Sequence, residues 1–359
     1  MKSSMKIALS TSILFGVVGL SVGLALGLAK NKPDAAVFMA TRDVPANKYY
    51  EEEVSEGPSI PFVVYQTTTN TSGINYIKNI TSVIPNSPAS KTNTTGTRVP
   101  IWWDEFDGTE INQGSWVVAN GGDQSGWGNA ELQTYHESNI EVRNGSLYIV
   151  AKNENGGWTS GRVMTKGAWY PGMEIPYGIT TKIYLEAKIT VPESGMGIWP
   201  AFWAFPQDSE YGSFSQSGEI DIMELRRDYA NLTQGIHYGG EHPKNKKTMI
   251  RVGDVEPEFT LANKTFVFST EWSKNSIVFF WNGVETGRMV PRSVDQNYGW
   301  YSDADVDNTD APFDKPFYAI FNIAIGGKYP GEPDENTPPV VTMAVDYFRV
   351  YADYIDVSS

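Results

Sequence analysis

Three carboxylic acids lie within six residues of the segment SGEIDIMELRR, which spans 217–227. They are Glu219, Asp221 and Glu224, and apolar residues separate them. Like charges this close together raise one another's pKa, so their proximity needs an explanation. If the segment is a β-strand, Glu219 and Asp221 share a face, because side chains alternate along a strand. Simple alternation would send Glu224 to the apolar face, where an unpaired carboxylate is costly.

An irregularity in the strand would resolve this conflict. A one-residue β-bulge at Met223 returns Glu224 to the face of Glu219, because two residues then oppose one on the neighbouring strand. Glycosidic bond cleavage with retention uses two carboxyl groups about 5–5.5 Å apart, one as nucleophile and one as general acid. Five positions on a flat strand span about 15 Å, so a bulge and a concave sheet must shorten the distance. From spacing alone, a solvated acidic face or a calcium-binding edge is an equal alternative.

The chain around this segment has the pattern of strands joined by turns, from about Pro100 to Tyr354. In TTKIYLEAKITV, which begins at residue 180, apolar and polar residues alternate, which indicates a half-buried strand. Asn-Gly pairs at 144–145 and 282–283 predict tight hairpins. The sequence shows no long amphipathic helix and no internal repeat. We therefore predict an all-β fold, an antiparallel β-sandwich formed by one large domain.

The composition excludes several classes of function. The chain has 359 residues and a net charge of −14, so nucleic acids and anionic membranes are not expected partners. It contains no cysteine, which removes disulfides, zinc–thiolate sites and cysteine nucleophiles. With 3 histidines, a catalytic zinc site is not predicted either. A neutral or weakly charged substrate fits this composition better.

The N-terminal part differs from the rest in composition. Ile7–Ala29 contains no charged residue and is long enough to span a bilayer as a helix, so 1–29 is either a signal-anchor or a cleaved signal peptide. Residues 30–97 are acidic and then rich in Thr, Asn and Ser, which predicts a disordered or glycosylated stalk. Residues 98–355 form the predicted catalytic domain, and we expect it outside the cytoplasm. Asn-x-Ser/Thr sequons begin at Asn70, Asn79, Asn93, Asn144, Asn231 and Asn263.

The segment GEIDIMELRR resembles the bulged active-site strand of glycoside hydrolase family 16. The similarity extends from about residue 99 to 353. The motifs that carry it occur in the family's order and are WWDEFDG (102–108), GWGNAELQTYHESNIEV (126–142), SGRVMTKG (160–167), GIWPAFWAFP (197–206), GIHYGGEHPKN (235–245) and VDYFRVY (345–351). Within the family, HYGG followed by Pro243 and Asn245 is similar to laminarinase-like endo-β-1,3-glucanases. The resemblance implies a concanavalin-like β-jelly roll with an open cleft for a polysaccharide.

The same resemblance implies roles for the site residues. Glu219 is expected to be the nucleophile, Asp221 its helper and Glu224 the acid/base, with His237 nearby. Other residues are expected to bind sugar, by ring stacking or by hydrogen bonds; they are Trp199, Trp203, Asn129 and Arg162. In the apolar sequence WPAFW, either tryptophan could equally belong to the core.

Two further expectations concern metal binding and specificity. Many relatives carry a structural calcium, and Glu105, Gly145 and Asp346 match that site by position. Calcium needs six to eight oxygen ligands, which three positions do not supply alone. The family usually has Arg where this chain has Lys188, and lysine lacks the forked donors of arginine. This difference predicts altered sugar contacts. No cofactor is expected for catalysis.

Three functions are compatible with this sequence. The first is an extracytoplasmic endo-β-1,3-glucanase that acts by double displacement, as a monomer, on a β-1,3-glucan or a mixed β-1,3/1,4-glucan. The second is a cell-wall transglycosylase, which forms the same covalent intermediate but transfers the sugar to another glycan. The third is a β-glucan recognition protein without activity. Such proteins typically lack the catalytic glutamates, whereas Glu219 and Glu224 are both present here.

Overall fold

A computed structural model describes residues 98–122, 126–253 and 260–355, together with the backbone of 59–69 and 75–85. Within these ranges the chain forms β-strands and no α-helix. The strands are β1 (Ser59–Thr69), β2 (Asn75–Pro85), β3 (Val99–Asp104), β4 (Trp116–Val118), β5 (Thr134–Tyr135), β6 (Ile140–Arg143), β7 (Ser146–Glu154), β8 (Gly157–Ser160), β9 (Arg162–Thr165), β10 (Glu174–Ile175), β11 (Gly178–Thr190), β12 (Ile198–Pro206), β13 (Glu219–Glu224), β14 (Asn231–Gly239), β15 (Asn245–Gly253), β16 (Thr265–Ser273), β17 (Ser276–Trp281), β18 (Val284–Met289), β19 (Phe317–Ile325) and β20 (Val340–Ile355).

The strands form two sheets. The first has 9 strands in the order β2-β1-β15-β14-β13-β12-β19-β9-β4. The second has 11 strands, ordered β18-β17-β16-β11-β20-β7-β8-β5, with β10, β3 and β6 paired beside them. Nearly all pairings are antiparallel; β5 with β8 is parallel. The predicted all-β sandwich is confirmed, and strand β13, which carries the three acids, is the middle strand of the first sheet.

Local sequence explains the strands that could be predicted. In β11, Ile183, Leu185 and Ala187 are fully buried, as their alternation with polar residues requires. The Asn144-Gly145 pair joins β6 to β7 with φ angles of 52° and 71°. Two consecutive positive φ angles are typical of the type I′ turn that Asn-Gly favours.

The core lies between the two sheets and is rich in aromatic rings. Phe202 of β12 stacks on Phe321 of β19 with ring centroids 4.5 Å apart. Phe348 of β20, in the other sheet, contacts Phe321 at 5.4 Å. All three side chains are fully buried. Each buried ring of this kind contributes about 1.5–3 kcal/mol, and together they join the two sheets.

The region predicted to be a stalk contains regular structure. Strands β1 and β2 pair with each other, and β1 also pairs antiparallel with β15, from Val63 opposite Gly253 to Thr68 opposite Thr248. The disordered or glycosylated stalk over 30–97 stays a prediction, within which the structure describes strands at Ser59–Thr69 and Asn75–Pro85. Both segments contain β-branched residues, and the edge of β15 offers unpaired backbone groups that a further strand can satisfy.

The predicted N-terminal helix lies outside the described residues. Within those residues, no helix has the length and apolar character needed to cross a membrane.

Candidate active site

Strand β13 contains the predicted irregularity. Asp221 pairs with Gly235 of β14, and Glu224 pairs with Thr233. One residue, Gln234, separates these two partners on β14, whereas two residues, Ile222 and Met223, separate the two acids on β13. The register with β12 shifts at the same place. Ile222 and Met223 are both fully buried. The β-bulge is confirmed, and it keeps Glu224 on the same face as the other two acids. We call this surface of the first sheet the active face.

The side chain of Gln234 holds the bulge from the core side. Its amide nitrogen donates to the backbone carbonyl of Ile222 at 2.8 Å, and the hydroxyl of Thr286 donates to its amide oxygen at 2.5 Å. Gln234 is fully buried. A bulge frees a carbonyl from the strand ladder, and a buried carbonyl without a partner is costly. Gln234 was not among the predicted site residues, although a glutamine at a core position of a strand is a detectable signal.

Of the three acids, Asp221 and Glu224 are buried and Glu219 is partly buried. Asp221 is 3% exposed and Glu224 is 7% exposed. In the part of the chain that the structure describes, no lysine or arginine forms an ion pair with Glu219, Asp221 or Glu224. Burial raises the pKa of all three carboxyls, and repulsion from Glu224 further raises that of Glu219. At neutral pH the group therefore carries fewer than three charges, so it can hold a proton beside a carboxylate.

His237 lies directly across from Glu219 on strand β14. Its Nε2 is 3.7 Å from Oε1 of Glu219 and 3.5 Å from Oδ2 of Asp221. Burial lowers the pKa of His237 to about 3, so the ring is neutral at working pH. These three side chains are also close enough to hold a metal ion together, with ligand atoms within 4.8 Å of one another. The structure thus brings together all four predicted catalytic residues.

Both predicted tryptophans lie on the active face, so neither belongs to the core. Phe202, which alternates with them in β12, points into the core and is fully buried. The indole nitrogen of Trp199 donates to Oε1 of Glu224 at 3.0 Å. The indole nitrogen of Trp203 donates to Oδ1 of Asn322 at 2.8 Å. Trp199 therefore contacts an acid directly, a role that the expected ring stacking does not include.

A second group of residues presents unpaired donors beside Trp203. The guanidinium carbon of Arg162 lies 5.0 Å from the ring centroid of Trp203 and 4.9 Å from that of Trp127. Buried nitrogens of Arg162, Trp127 and Asn129 have no hydrogen-bond partner. Buried donors are normally satisfied, so these are suited to ligand hydroxyls. Arg162 and Asn129 were predicted; Trp127 was missed, although it stands between two glycines two residues before Asn129.

The loop after β19 connects the two parts of the site. A Cβ at Gly327 would lie 2.4 Å from the carbonyl oxygen of Asn129, and the φ of Gly327 is +90°, so only glycine fits here. The next amide, of Lys328, donates to that same carbonyl at 2.9 Å. Tyr329 then packs on Trp199, with ring centroids 4.8 Å apart. Tyr329 was missed, because nothing in the loop sequence indicates which wall it contacts.

The residues expected to hold calcium do not fit that ion as they stand. Glu105 forms a two-pronged ion pair with Arg349, at 2.7 and 2.8 Å. Asp346 pairs with Lys188 at 2.7 Å, and Gly145 lies in the β6–β7 turn. Both carboxylates therefore already have a cationic partner, whereas a calcium site needs them as metal ligands.

The expected effect of Lys188 on sugar binding is also wrong. Lys188 lies on β11 in the second sheet, and its ammonium group contacts Asp346 of β20. The active face belongs to the first sheet, which contains β13. A lysine at this position can change the outer surface of the second sheet, but it does not face the three acids.

Comparison with known proteins agrees with this geometry. Residues 129–341 match the family model described as "Glycosyl hydrolases family 16". The chain belongs to this family. It is 37% identical over 275 residues to "Glucan endo-1,3-beta-glucosidase A1" of Niallia circulans, and 33% identical over 252 residues to "Glucan endo-1,3-beta-glucosidase" of Cryptopygus antarcticus. These matches cover 70% and 66% of this chain, and 38% and 84% of the respective relatives.

The structural comparison covers the whole length of a solved chain. The endo-β-1,3-glucanase from Pyrococcus furiosus superposes with a TM-score of 0.59 at 30% identity, over 75% of this chain and 100% of that one. The resemblance to laminarinase-like members of family 16 is confirmed. Because the chain spans 38% of the length of the Niallia circulans relative, its own substrate is a matter for proposal.

Proposed function

We propose that this family 16 hydrolase is a retaining endo-glycosidase that cleaves β-1,3-glucan or mixed β-1,3/1,4-glucan. The observation that carries the proposal is the arrangement of Glu219, Asp221 and Glu224 on one face of a central strand, buried and without a cationic partner. Such a group can provide a nucleophile and a proton donor at the same pH. The names of its relatives support a glucan as the substrate.

In the first step, a carboxylate oxygen of Glu219 bonds to the anomeric carbon while the bond from that carbon to the leaving glucan breaks. Glu224 transfers its proton to the leaving oxygen. Asp221 lies between the two in sequence and on the same face, where burial and the charges of both glutamates raise its pKa. Protonation of a leaving group by a positioned side chain typically contributes about 10²–10⁴-fold to the rate.

In the second step, Glu224 takes a proton from a water molecule as the water oxygen bonds to the anomeric carbon. The bond to Glu219 then breaks, and the carboxylate is restored. Two inversions give net retention. Neutral His237 cannot compete for the acid proton at this pH, because burial holds its pKa near 3. No cofactor takes part in either step, and no calcium ion is part of this proposal.

The unpaired donors of Arg162, Trp127 and Asn129 would bind sugar hydroxyls beside the reacting bond. Trp203 would supply a stacking surface next to them, since its ring is on the active face. Aromatic rings with nearby hydrogen-bond donors suit a sugar, which has apolar faces and polar edges. Such contacts favour an uncharged polysaccharide, in keeping with a protein whose net charge is −14.

The test is to incubate the full chain with laminarin, lichenan and agarose, to size the products and to follow their anomeric configuration by NMR. We expect short oligosaccharides from laminarin, released first as β-anomers. Products longer than the starting chains would instead indicate a transglycosylase. Binding without any product would indicate a recognition protein, and release of α-anomers would contradict the double displacement.

We further propose that the enzyme acts outside the cytoplasm as a monomer, with residues 1–29 as an anchor or a signal peptide. The uncharged stretch Ile7–Ala29 supports this location. Asn144, Asn231 and Asn263 begin sequons and are exposed, as glycan acceptors must be. Carbonate extraction of membranes distinguishes the two alternatives, because an anchored protein stays in the pellet. A mature soluble protein that begins near Lys30 would contradict the anchor.

A further inference from the structure

The hydrogen bond between Trp199 and Glu224 restricts where the acid proton can lie. The indole nitrogen of Trp199 is 3.0 Å from Oε1 of Glu224. An indole N–H can only donate, so Oε1 must accept in both protonation states of the carboxyl group. When Glu224 is protonated, its proton therefore lies on Oε2. A carboxyl group without this donor could carry the proton on either oxygen.

The indole is itself held in place by Tyr329. The two rings are 4.8 Å apart, and the guanidinium carbon of Arg226 lies 4.6 Å from the centroid of the Tyr329 ring. Arg226 also donates to the backbone carbonyl of Tyr329 at 3.3 Å. Thr233, the residue opposite Glu224 in the strand ladder, influences the pKa of the Tyr329 hydroxyl. Tyr329 is thus fixed by Arg226 on one side and packs on the indole of Trp199 on the other.

We propose that Trp199 and Tyr329 form a positioning clamp that fixes the carboxyl group of Glu224 and directs its transferable proton to Oε2. Trp199 acts through its indole N–H, and Tyr329 acts by holding the indole. The proposal rests on the assignment of Glu224 as acid/base. It gives Trp199 a role in proton transfer, distinct from sugar stacking, and it gives Tyr329 a role in the reaction.

The clamp has a consequence for pH dependence. A donor hydrogen bond stabilises the carboxylate more than the neutral acid, so it holds the pKa of Glu224 below the value that burial would otherwise impose. Removing the donor should raise that pKa, and Glu224 would then keep its proton to a higher pH. The alkaline limb of the pH–rate profile reports the acid group, so it should move upward.

The experiment compares Trp199→Phe with Trp203→Phe in the full chain. Both changes remove an indole donor from the active face, but Trp203 donates to the neutral amide of Asn322. For Trp199→Phe we expect kcat on laminarin to fall about tenfold or more, and the alkaline limb to rise by roughly half to one pH unit. For Trp203→Phe we expect a higher KM and an unmoved alkaline limb.

A second substrate separates proton transfer from general damage. An aryl β-glucoside oligomer with a dinitrophenolate leaving group needs no protonation in the first step, so Trp199→Phe should keep nearly the wild-type kcat/KM for it, because kcat/KM reports the steps up to formation of the glycosyl-enzyme. Tyr329→Leu removes the ring that packs on the indole of Trp199, and we expect a smaller shift of the limb in the same direction. It also serves as the test if Trp199→Phe does not fold.

The possible failures can be distinguished. Azide should rescue Glu224→Ala if Glu224 is the acid/base; without rescue, the proposed function itself is wrong. If azide rescues but Trp199→Phe changes only KM, with an unmoved alkaline limb and an equal loss on the dinitrophenyl substrate, the clamp is wrong. Trp199 would then be a sugar-binding surface only.

Discussion

The three acids of strand β13 and two acids on the second-sheet side, Glu105 and Asp346, differ in their partners. On the second sheet, Glu105 is bound by Arg349 and Asp346 by Lys188. On the first sheet, the acids of strand β13 have no such partner among the described residues, and burial raises the pKa of each. A pair with a cation is what structural carboxylates normally have.

This difference indicates where stability has been given up for function. Buried carboxylates without partners destabilise a fold, and such groups cluster at active sites because their shifted pKa values are needed there. The paired acids of the second sheet are about one-third exposed and contribute little either way. Variants that remove the charge of an acid but keep its shape, made on each sheet, can test the contrast directly.

The largest effect should follow from Glu219→Gln and Glu224→Gln. Each neutral isostere removes the nucleophile or the proton donor, so we expect activity on laminarin to fall about a thousandfold or more. Thermal unfolding should occur at the wild-type temperature or slightly above it, because the change relieves repulsion among three acids. Activity assays and calorimetry on the same preparations measure both effects.

Glu105→Gln is the matched control on the second sheet. It breaks the ion pair with Arg349, which contributes at most about 1 kcal/mol, so Tm should fall by about 2–4 °C or less. Activity should stay within about twofold of wild type. The contrast between the sheets would be wrong if Glu105→Gln lost as much activity as Glu219→Gln and Glu224→Gln. It would also be wrong if Glu219→Gln lowered Tm more than Glu105→Gln lowers it.

The next effect concerns the spacing of the three acids. Deleting Met223 removes the bulge but leaves Glu219, Asp221 and Glu224 on one face, because strand parity is then regular. The deletion loses a fully buried side chain, at about 2–4 kcal/mol, so the protein should fold with a lower Tm and reduced activity. The bond from Gln234 to the Ile222 carbonyl would be lost or rearranged as well.

Inserting one alanine after Met223 should be far worse. If the one-residue bulge persists, the insertion turns Glu224 toward the core, where an unpaired carboxylate costs several kcal/mol. If the bulge is enlarged, the strand is distorted beside Glu224, and if the strand becomes regular, Glu224 stays on the active face but moves out of register with Thr233. We expect no activity and little folded protein. Equal damage from the deletion and the insertion, measured by thermal unfolding and laminarin turnover, would mean that parity is not what places the acids.

These residues also show how much of the site could be predicted. The shared face of Glu219, Asp221 and Glu224 followed from the alternation of side chains along a strand together with one bulge, and both are local properties of these six residues. His237 and the two tryptophans followed from the family resemblance. The sandwich followed from strand alternation and Asn-Gly turns, which need no knowledge of distant contacts.

The remaining features depend on contacts between distant parts of the chain. Tyr329 meets Trp199 only because a loop folds across the first sheet. The direction of Lys188 depends on its strand being in the second sheet, which local periodicity does not specify. Strand β1 needs the open edge of β15 to pair with, so its own composition did not distinguish it from a stalk.

A smaller effect should appear in the pH dependence of stability. The pKa values of the three acids are raised in the folded state. At pH values between the ordinary carboxyl pKa of about 4.3 and those raised values, the folded protein therefore binds more protons than the unfolded chain. The free energy of unfolding should therefore fall as pH rises through this window, by up to about 1.4 kcal/mol per pH unit for each extra proton.

The measurement is Tm between pH 5 and pH 8 for wild type, a double variant with Glu219→Gln and Glu224→Gln, and Glu105→Gln. We expect the double variant to lose much of the slope and Glu105→Gln to keep it. An unchanged slope in the double variant would show that these acids do not bind the extra protons.

The smallest effect concerns calcium and tests the second sheet. Because Lys188 already neutralises Asp346 at 2.7 Å, neither EDTA nor added calcium should change the Tm of the wild-type protein measurably. In Lys188→Ala, Asp346 loses its cation; Tm should fall by about 2–4 °C or less, and calcium should restore part of the loss. Lys315→Ala breaks a comparable exposed pair with Glu210 and should gain nothing from calcium. A wild-type Tm that falls in EDTA would mean that a metal ion contributes to this domain, and that the acids of the second sheet are not satisfied by Arg349 and Lys188 alone.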